Sequence, residues 1–267
     1  MHELIKKLHD NKASEKMPLL FVGHGNPMNA IEDNKYSRTW GKIGKEIVKP
    51  QAIVCMSAHW TTDGSFVTAM KMPKVIYDFY GFPEEMYQVK YPAKGDPALA
   101  KKITQIDKSI GLDEGWGLDH GAWSVLKKMY PDADIPVIQL SVDYSRNPEQ
   151  QYELVKELKS LRNKGVLFIG SGNIVHNLGV MNFENVKPYD WALEFDEQSK
   201  NLIEKGDHKA LIKYEKLGMA ANMSIPTDEH YRPMLATLAL QQPGEEPHFF
   251  NEGIDLGSVG MRSFIFN

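Results

Sequence analysis

The residues of this chain best suited to chemistry are its nine histidines, and their placement is uneven. His24 stands in Gly23-His24-Gly25-Asn26-Pro27, directly after the apolar run Leu19–Gly23. His59 stands in Ser57-Ala58-His59-Trp60, after a second apolar run, Ala52–Ser57. His176 follows a third run, 166–169, and the turn-like Gly170-Ser171-Gly172. Two more histidines fall at expected helix starts: His120 in Asp119-His120-Gly121 and His230 in Asp228-Glu229-His230-Tyr231. Imidazole is the commonest side-chain ligand of zinc and iron, and its charge changes near neutral pH. One histidine at such a place is more often a hydrogen-bonded, partly buried residue than a ligand. Three past the carboxyl ends of three strands shift the balance toward a shared metal site, because that edge of an open α/β sheet is where ligands bind. His2 and His9 in the charged leader, His208 in a polar turn and His248 in an acidic loop read as surface residues.

The elements that would position these histidines are legible in outline. Short apolar or β-branched runs at Leu19–Gly23, Ala52–Ser57, 66–70, 137–142, 166–169 and 262–266 predict buried strands. Helical patterns lie between them, at 36–48, Pro97–Ile106, 122–129, 149–162, Asp190–Glu204, 209–217 and about 229–240. The clearest is 149–162. It has Asn147 as cap, Pro148 at the first helical position, apolar Tyr152, Val155, Leu158 and Leu161 three apart, and Gly165 as a stop. Continuous apolar strands alternating with helices predict a single α/β domain. Its central sheet would be largely parallel or mixed, with helices on both faces. The domain is expected over 17–267, after a polar leader at 1–16.

Composition narrows the function. At 267 residues the chain can bury a sizeable core without a disulfide or metal to hold it. Its net charge of −4 argues against a protein built to neutralise phosphates. One cysteine excludes an internal disulfide and a cysteine-rich zinc module. Cys55, inside an expected strand, reads as a buried inert thiol. The longest apolar run, 52–56, is far short of the about 20 residues of a membrane span. With no secretory signal visible, the expected compartment is the cytoplasm. Gly170-Ser171-Gly172 lacks the third glycine of a dinucleotide fingerprint, Val175 standing in its place. Its glycines read as a tight turn at a strand end. No phosphate loop, zinc-peptidase helix motif or serine-hydrolase elbow occurs.

Taken in order, five segments make a pattern: Gly23-His24-Gly25-Asn26-Pro27-Met28-Asn29, Ser57-Ala58-His59-Trp60, Asp119-His120-Gly121-Ala122-Trp123, Gly172-Asn173-Ile174-Val175-His176-Asn177 and Pro226-Thr227-Asp228-Glu229-His230-Tyr231. Together they resemble the LigB-type class III extradiol ring-cleavage dioxygenases, in particular the 4,5-DOPA-extradiol branch. The resemblance implies one divalent metal per chain, Zn or Fe(II), and ring opening of a small aromatic diol beside its two hydroxyls with O₂. It makes His24 and His59 metal ligands. It puts His230 where the broader family has a glutamate, with His176 near enough to be a fourth ligand. It also makes His120 and His176 the acid/base pair, His176 as the base toward the catechol and His120 as the acid. No nucleic acid or membrane partner is implied.

Four histidines suit tetrahedral zinc, whereas non-haem Fe(II) oxygenases commonly use two histidines and a carboxylate. Glu229 adjoins His230, but on a helix successive side chains diverge by about 100°, so the pair is not expected to share an ion. Asp119 reads equally as a helix cap or as an acid orienting a neighbouring histidine. Trp60 and Trp123 read as core that could also wall an aromatic pocket. Two other functions stay open on the same residues. One is a zinc-dependent hydrolase using a metal-activated water; the other is a non-catalytic metal-binding protein.

Overall fold

The computed structural model describes residues 16–184 and 187–267. His2, His9 and the expected leader, apart from Lys16, lie outside the described residues.

The centre is a six-stranded mixed sheet of β1 (Leu19–Gly23), β2 (Ala52–Ser57), β3 (Val137–Gln139), β4 (Val166–Gly172), β5 (Pro247–Phe250) and β6 (Ser263–Phe266), in the order β3-β2-β4-β1-β6-β5. The first four strands of that order are parallel, and β6 runs antiparallel to both β1 and β5. The register aligns Gly23 of β1 with Gly172 of β4, and Ser57 of β2 with Ser171. Three parallel strands therefore end side by side.

Both faces of the sheet are covered, as continuous apolar strands require. Along β1, Leu19 and Phe21 join one core while Leu20 and Val22 join the other. In β2, Val54 and Met56 face the first core, and Ile53 and Cys55 the second. The first core is closed by residues of α2 (Pro97–Ile106), α4 (Pro148–Lys156), α5 (Asp190–Glu204) and α6 (Arg232–Ala239). The second is closed by α1 (Lys35–Glu46) and α3 (His120–Met129), with Trp40 and Trp123 fully buried.

Several elements differ from their sequence reading. The helix expected over 149–162 begins as anticipated, with Asn147 and Gln150 capping each other and Pro148 in the first turn. It tightens to a 3-10 helix over Glu157–Lys164 and stops at Gly165, whose φ is 72°. The strand expected at 66–70 forms over Ser65–Thr68 but pairs with Ile110–Asp113 in a separate small sheet. The run 137–142 divides into β3 and a short strand at Val142–Asp143. His248 lies on β5, paired with Ile265, rather than in a loop. No helix among the described residues is long and apolar enough to cross a membrane.

The most consequential difference is at Gly170 and Gly172. Both lie inside β4, not in a turn after it. A Cβ on Gly170 would stand 2.3 Å from the Pro233 carbonyl oxygen, and one on Gly172 2.1 Å from that of His230. No real side chain tolerates that approach. The glycines let the start of α6 press onto the strand, and so bring His230 to the sheet edge.

Candidate metal centre

Each histidine of the cluster is delivered by a different element. His24 follows β1, and its backbone N–H donates to the Gly172 carbonyl (3.1 Å). His59 leaves β2 after Ala58, whose N–H donates to Ser171 O (3.0 Å). His120 is the first residue of α3, capped by the Asp119 carboxylate. His176 is held through its N–H to Ser224 O (2.9 Å), and Val175 O accepts from Gly260 N (2.8 Å). The His230 carbonyl accepts from Asn173 N (2.8 Å), just ahead of α6.

The five rings converge. Nε2 of His24 and Nε2 of His59 are 3.1 Å apart. The His230 ring centroid lies 5.4 Å from that of His24 and 5.0 Å from that of His59. One ligand atom from each of these three residues can be chosen so that all lie within 4.8 Å of one another. His120 packs on His59 with centroids 3.8 Å apart, and His176 stacks on His230 at 3.4 Å with planes 12° apart. By the same distance measure, His176 groups with His230 and Glu229 rather than with His24 and His59.

The second nitrogen of each of four rings faces a polar partner, through a hydrogen bond for His24, His120 and His230 and at ion-pair distance for His59. His24 Nδ1 lies 3.0 Å from Ser171 Oγ, and that hydroxyl donates its single hydrogen to Gly121 O (2.6 Å). Ser171 must therefore accept from His24 Nδ1–H, which leaves the His24 lone pair on Nε2. His230 Nδ1 lies 3.0 Å from Glu229 Oε1. Asp78 Oδ2 lies 2.9 Å from His120 Nδ1 and 3.2 Å from His59 Nδ1, while its Oδ1 accepts the His120 backbone N–H (2.8 Å). Ionised carboxylates only accept, so Nδ1 of His120 and of His230 carries hydrogen, and the Asp78 charge 3.2 Å from His59 Nδ1 favours the same tautomer there, which leaves Nε2 as the donor of an electron pair. A histidine whose far nitrogen is held by a carboxylate is the usual form of a metal-binding histidine.

Electrostatics agrees with neutral imidazoles. Burial, followed by the neighbouring histidines, holds His24 and His230 well below the ordinary 6.5. Burial lowers His59 to about 3 and His176 to about 4. Burial alone would raise Asp78, but the hydrogen bonds and charge of His120, with His59, hold it below its usual value. Neutral nitrogens with lone pairs facing inward are what a divalent cation needs. At Zn–N distances of about 2.0–2.1 Å, two tetrahedral ligand nitrogens stand about 3.3 Å apart. The 3.1 Å between the His24 and His59 nitrogens fits an ion between them.

Sequence reasoning set Glu229 aside and missed Asp78 and Phe79. The helix expected from 229 begins only at Arg232. Glu229 sits in the turn before it, free to fold back onto His230, so the 100° argument does not apply. Asp78 and Phe79 lie on a loop rich in aromatic residues, Tyr77-Asp78-Phe79-Tyr80-Gly81-Phe82; a lone acid among aromatics was the one available signal. Phe79 stands edge-on to His120 with centroids 5.5 Å apart, so it is an aromatic wall of the cluster. Trp123 is buried and bonds Ile76 O, and Trp60 stacks on Trp116. Asp119 accepts from Ala122 N, Ser57 Oγ and Gln139 Nε2, bonds of a cap and brace rather than of a histidine's partner. Cys55 is buried, its thiol pushed up by burial. His208 is half-buried against the Tyr152 hydroxyl (2.8 Å), away from the cluster.

Comparison with known proteins agrees with this geometry. A 4,5-DOPA dioxygenase extradiol of Escherichia coli (strain K12) is 45% identical over 259 residues, covering 94% of this chain and 95% of the relative. One from Beta vulgaris is 36% identical over 256 residues, covering 92% and 95%. The crystal structure of an uncharacterized Escherichia coli K12 protein superposes with a TM-score of 0.83 at 41% identity, covering 94% of this chain and all of that one. Residues 18–255 match the family described as the catalytic LigB subunit of aromatic ring-opening dioxygenase. The chain belongs to the LigB family of aromatic ring-opening dioxygenases.

Proposed function

We propose that residues 17–267 form one catalytic domain that opens the ring of a catechol of the 3,4-dihydroxyphenylalanine kind, beside its two hydroxyls, with O₂. His24, His59 and His230 hold one divalent metal through Nε2, and His176 stands beside them. The observation that carries the reading is the paired Nε2 atoms of His24 and His59, 3.1 Å apart, each on a ring whose Nδ1 already has a partner. A bound Fe(II) supplies redox coupling between the catechol and O₂, which zinc, having no redox chemistry, does not.

The chain's own residues do the rest. His176 is neutral, its pKa lowered to about 4 by burial, so its lone pair is available to take a catechol hydroxyl proton as the diol binds. The stack of His176 on His230 keeps that base beside a ligand. His120 is fixed at Nδ1 by Asp78, and its other nitrogen would take up a proton released by the binding diol and return it as the ring opens. Phe79 shields this side from water and offers an aromatic edge to an aromatic substrate. Burial of His24, His120 and His230, with the packing of His59 on His120 and of His176 on His230, keeps the donors in a fixed geometry before substrate arrives.

The test is metal-free protein reloaded anaerobically with Fe(II) or Zn and offered a panel of catechols. With Fe(II), one O₂ is consumed per ring opened, followed by an oxygen electrode and the product's visible absorption. Equal O₂-dependent turnover with Zn would overturn the need for Fe(II), and hydrolysis without O₂ would replace this reading with the hydrolase.

A further inference from the structure

We infer that Asp78 is a positioning residue that sets the tautomer of two histidines at once, the metal ligand His59 and the acid/base residue His120. The inference rests on the ligand assignment proposed above.

Both oxygens of the Asp78 carboxylate are engaged. Oδ1 accepts the His120 backbone N–H, and Oδ2 is hydrogen-bonded to His120 Nδ1 at 2.9 Å and stands 3.2 Å from His59 Nδ1, in ion-pair range. His59 and His120 pack against each other, so one oxygen can serve both rings. The other two histidines proposed as ligands have partners of their own, Ser171 for His24 and Glu229 for His230. Among the described residues, Asp78 alone stands between a proposed ligand and a proposed proton donor. It arrives on a loop, with Ile76 N donating to Leu118 O (2.8 Å) and Trp123 Nε1 to Ile76 O (2.9 Å), so the segment before it is anchored both to the turn that leads into α3 and to α3 itself.

The consequence is specific. In Asp78→Asn the amide oxygen must stay on the backbone N–H, because an amide nitrogen there would set donor against donor. The NH₂ group then points at both Nδ1 atoms, and each ring must turn its lone pair outward and move its hydrogen to Nε2. His59 would present N–H to the metal position instead of a lone pair. A misplaced tautomer with intact geometry is a known way to lose function at a histidine. In Asp78→Glu the acceptor is kept on a longer arm.

The experiment compares wild type, Asp78→Asn and Asp78→Glu in three measurements. Ring ¹⁵N shifts of the metal-free protein, assigned with His59→Gln and His120→Gln, report the tautomers. Competitive chelation reports Zn affinity, and thermal melting reports the fold. In Asp78→Asn the two rings should change from Nδ1–H to Nε2–H, and Zn should bind about 10–100-fold more weakly, the usual cost of losing such a partner. The melting temperature should stay near wild type, and Asp78→Glu should restore the Nδ1–H form. Unchanged ring shifts in a folded Asp78→Asn protein would overturn the inference. So would a drop in melting temperature with tautomers and Zn affinity intact, since that describes packing alone. Should wild type bind no metal through His59, the ligand assignment fails on its own, while the ring shifts still decide whether Asp78 sets the tautomers.

Discussion

The two ends of strand β1 carry buried polar clusters of opposite character. At the carboxyl end, His24 enters a group of rings in which burial keeps His24, His59, His176 and His230 neutral, with Nε2 of His24 and of His59 turned toward each other. At the amino end, just before Leu19, the Met17 carbonyl accepts from Arg162 Nε (2.9 Å). Arg162 also binds Leu240 O and both oxygens of Glu245, and Glu245 takes Lys16 Nζ (2.5 Å) and the Gln242 N–H (2.7 Å). Arg162 is 1% exposed, yet its charge is cancelled and each of its three side-chain nitrogens donates a hydrogen bond. A cluster that holds the chain together closes its electrostatics internally. A cluster that works leaves a need that only a ligand meets, here electron pairs aimed at a common point.

That contrast breaks most visibly if a ligand histidine is removed. His24→Ala or His59→Ala should lose most of the metal and with it turnover, measured as metal per chain and O₂ uptake. Adding metal should raise the melting temperature of wild type, by about 2.7 kcal/mol of stability at a hundredfold excess over Kd, and leave the variants unmoved. Full metal content in either variant would remove that residue from the ligand set. His120→Ala comes next. It should keep its metal and its melting temperature while kcat falls by about 10²–10⁴-fold, the worth of an acid/base group. Loss of metal would instead make His120 a ligand, and a wild-type kcat would take it out of the chemistry.

How much of this was legible follows from the range of each interaction. His24 and His59 come directly after continuous apolar runs, so sequence alone places them at a strand end. Pro233 stands in the first turn of α6, where proline is favoured, and so marks a helix that starts after Glu229 and not at it. Gly170 and Gly172 read as a turn because sequence shows a glycine's freedom but not the neighbour that needs the space. Asp78 meets His120 across 42 residues, and Arg162 meets Glu245 across 83. No local period encodes either pairing. The opposite ends of β1 thus differed in legibility for the same reason that they differ in chemistry. The histidines sit on the sheet's own ends, whereas the ion pair closes between distant segments.

The amino-end cluster offers a smaller and different effect. Arg162→Met leaves Glu245 buried beside Lys16 without its main partner. Breaking one side of a buried pair costs about 3–5 kcal/mol. Chemical denaturation should show that loss, while metal content and kcat of the folded fraction stay at wild type. A loss of metal at unchanged stability would mean that the two ends of β1 are coupled, and would overturn the division drawn above.

The smallest effect is a pH slope. Burial by itself would raise the Glu245 carboxyl, but its bonds to Arg162, Lys16 and the Gln242 N–H outweigh that and hold it below the usual 4.5. Its folded pKa is thus below its unfolded one, so over that interval the unfolded chain binds more protons and stability rises with pH. The contribution is complete above about pH 4.5, the unfolded value, and is lost as pH falls through the folded value. Glu245→Gln cannot titrate. It should lower stability at pH 7 and flatten the acid limb, so that the two denaturation curves converge as pH drops from 5 toward 3. The buried histidines contribute with the same sign, over a window that begins at higher pH. Their folded values are lowered, so in the metal-free protein protonation of the unfolded chain below about 6.5 favours unfolding in both proteins alike. Taking the difference between wild type and Glu245→Gln at each pH cancels that common term and isolates Glu245. A difference that stays constant from pH 7 to pH 3 would mean that Glu245 gains nothing from its ionised bonds, and the closed cluster would then be packing rather than charge.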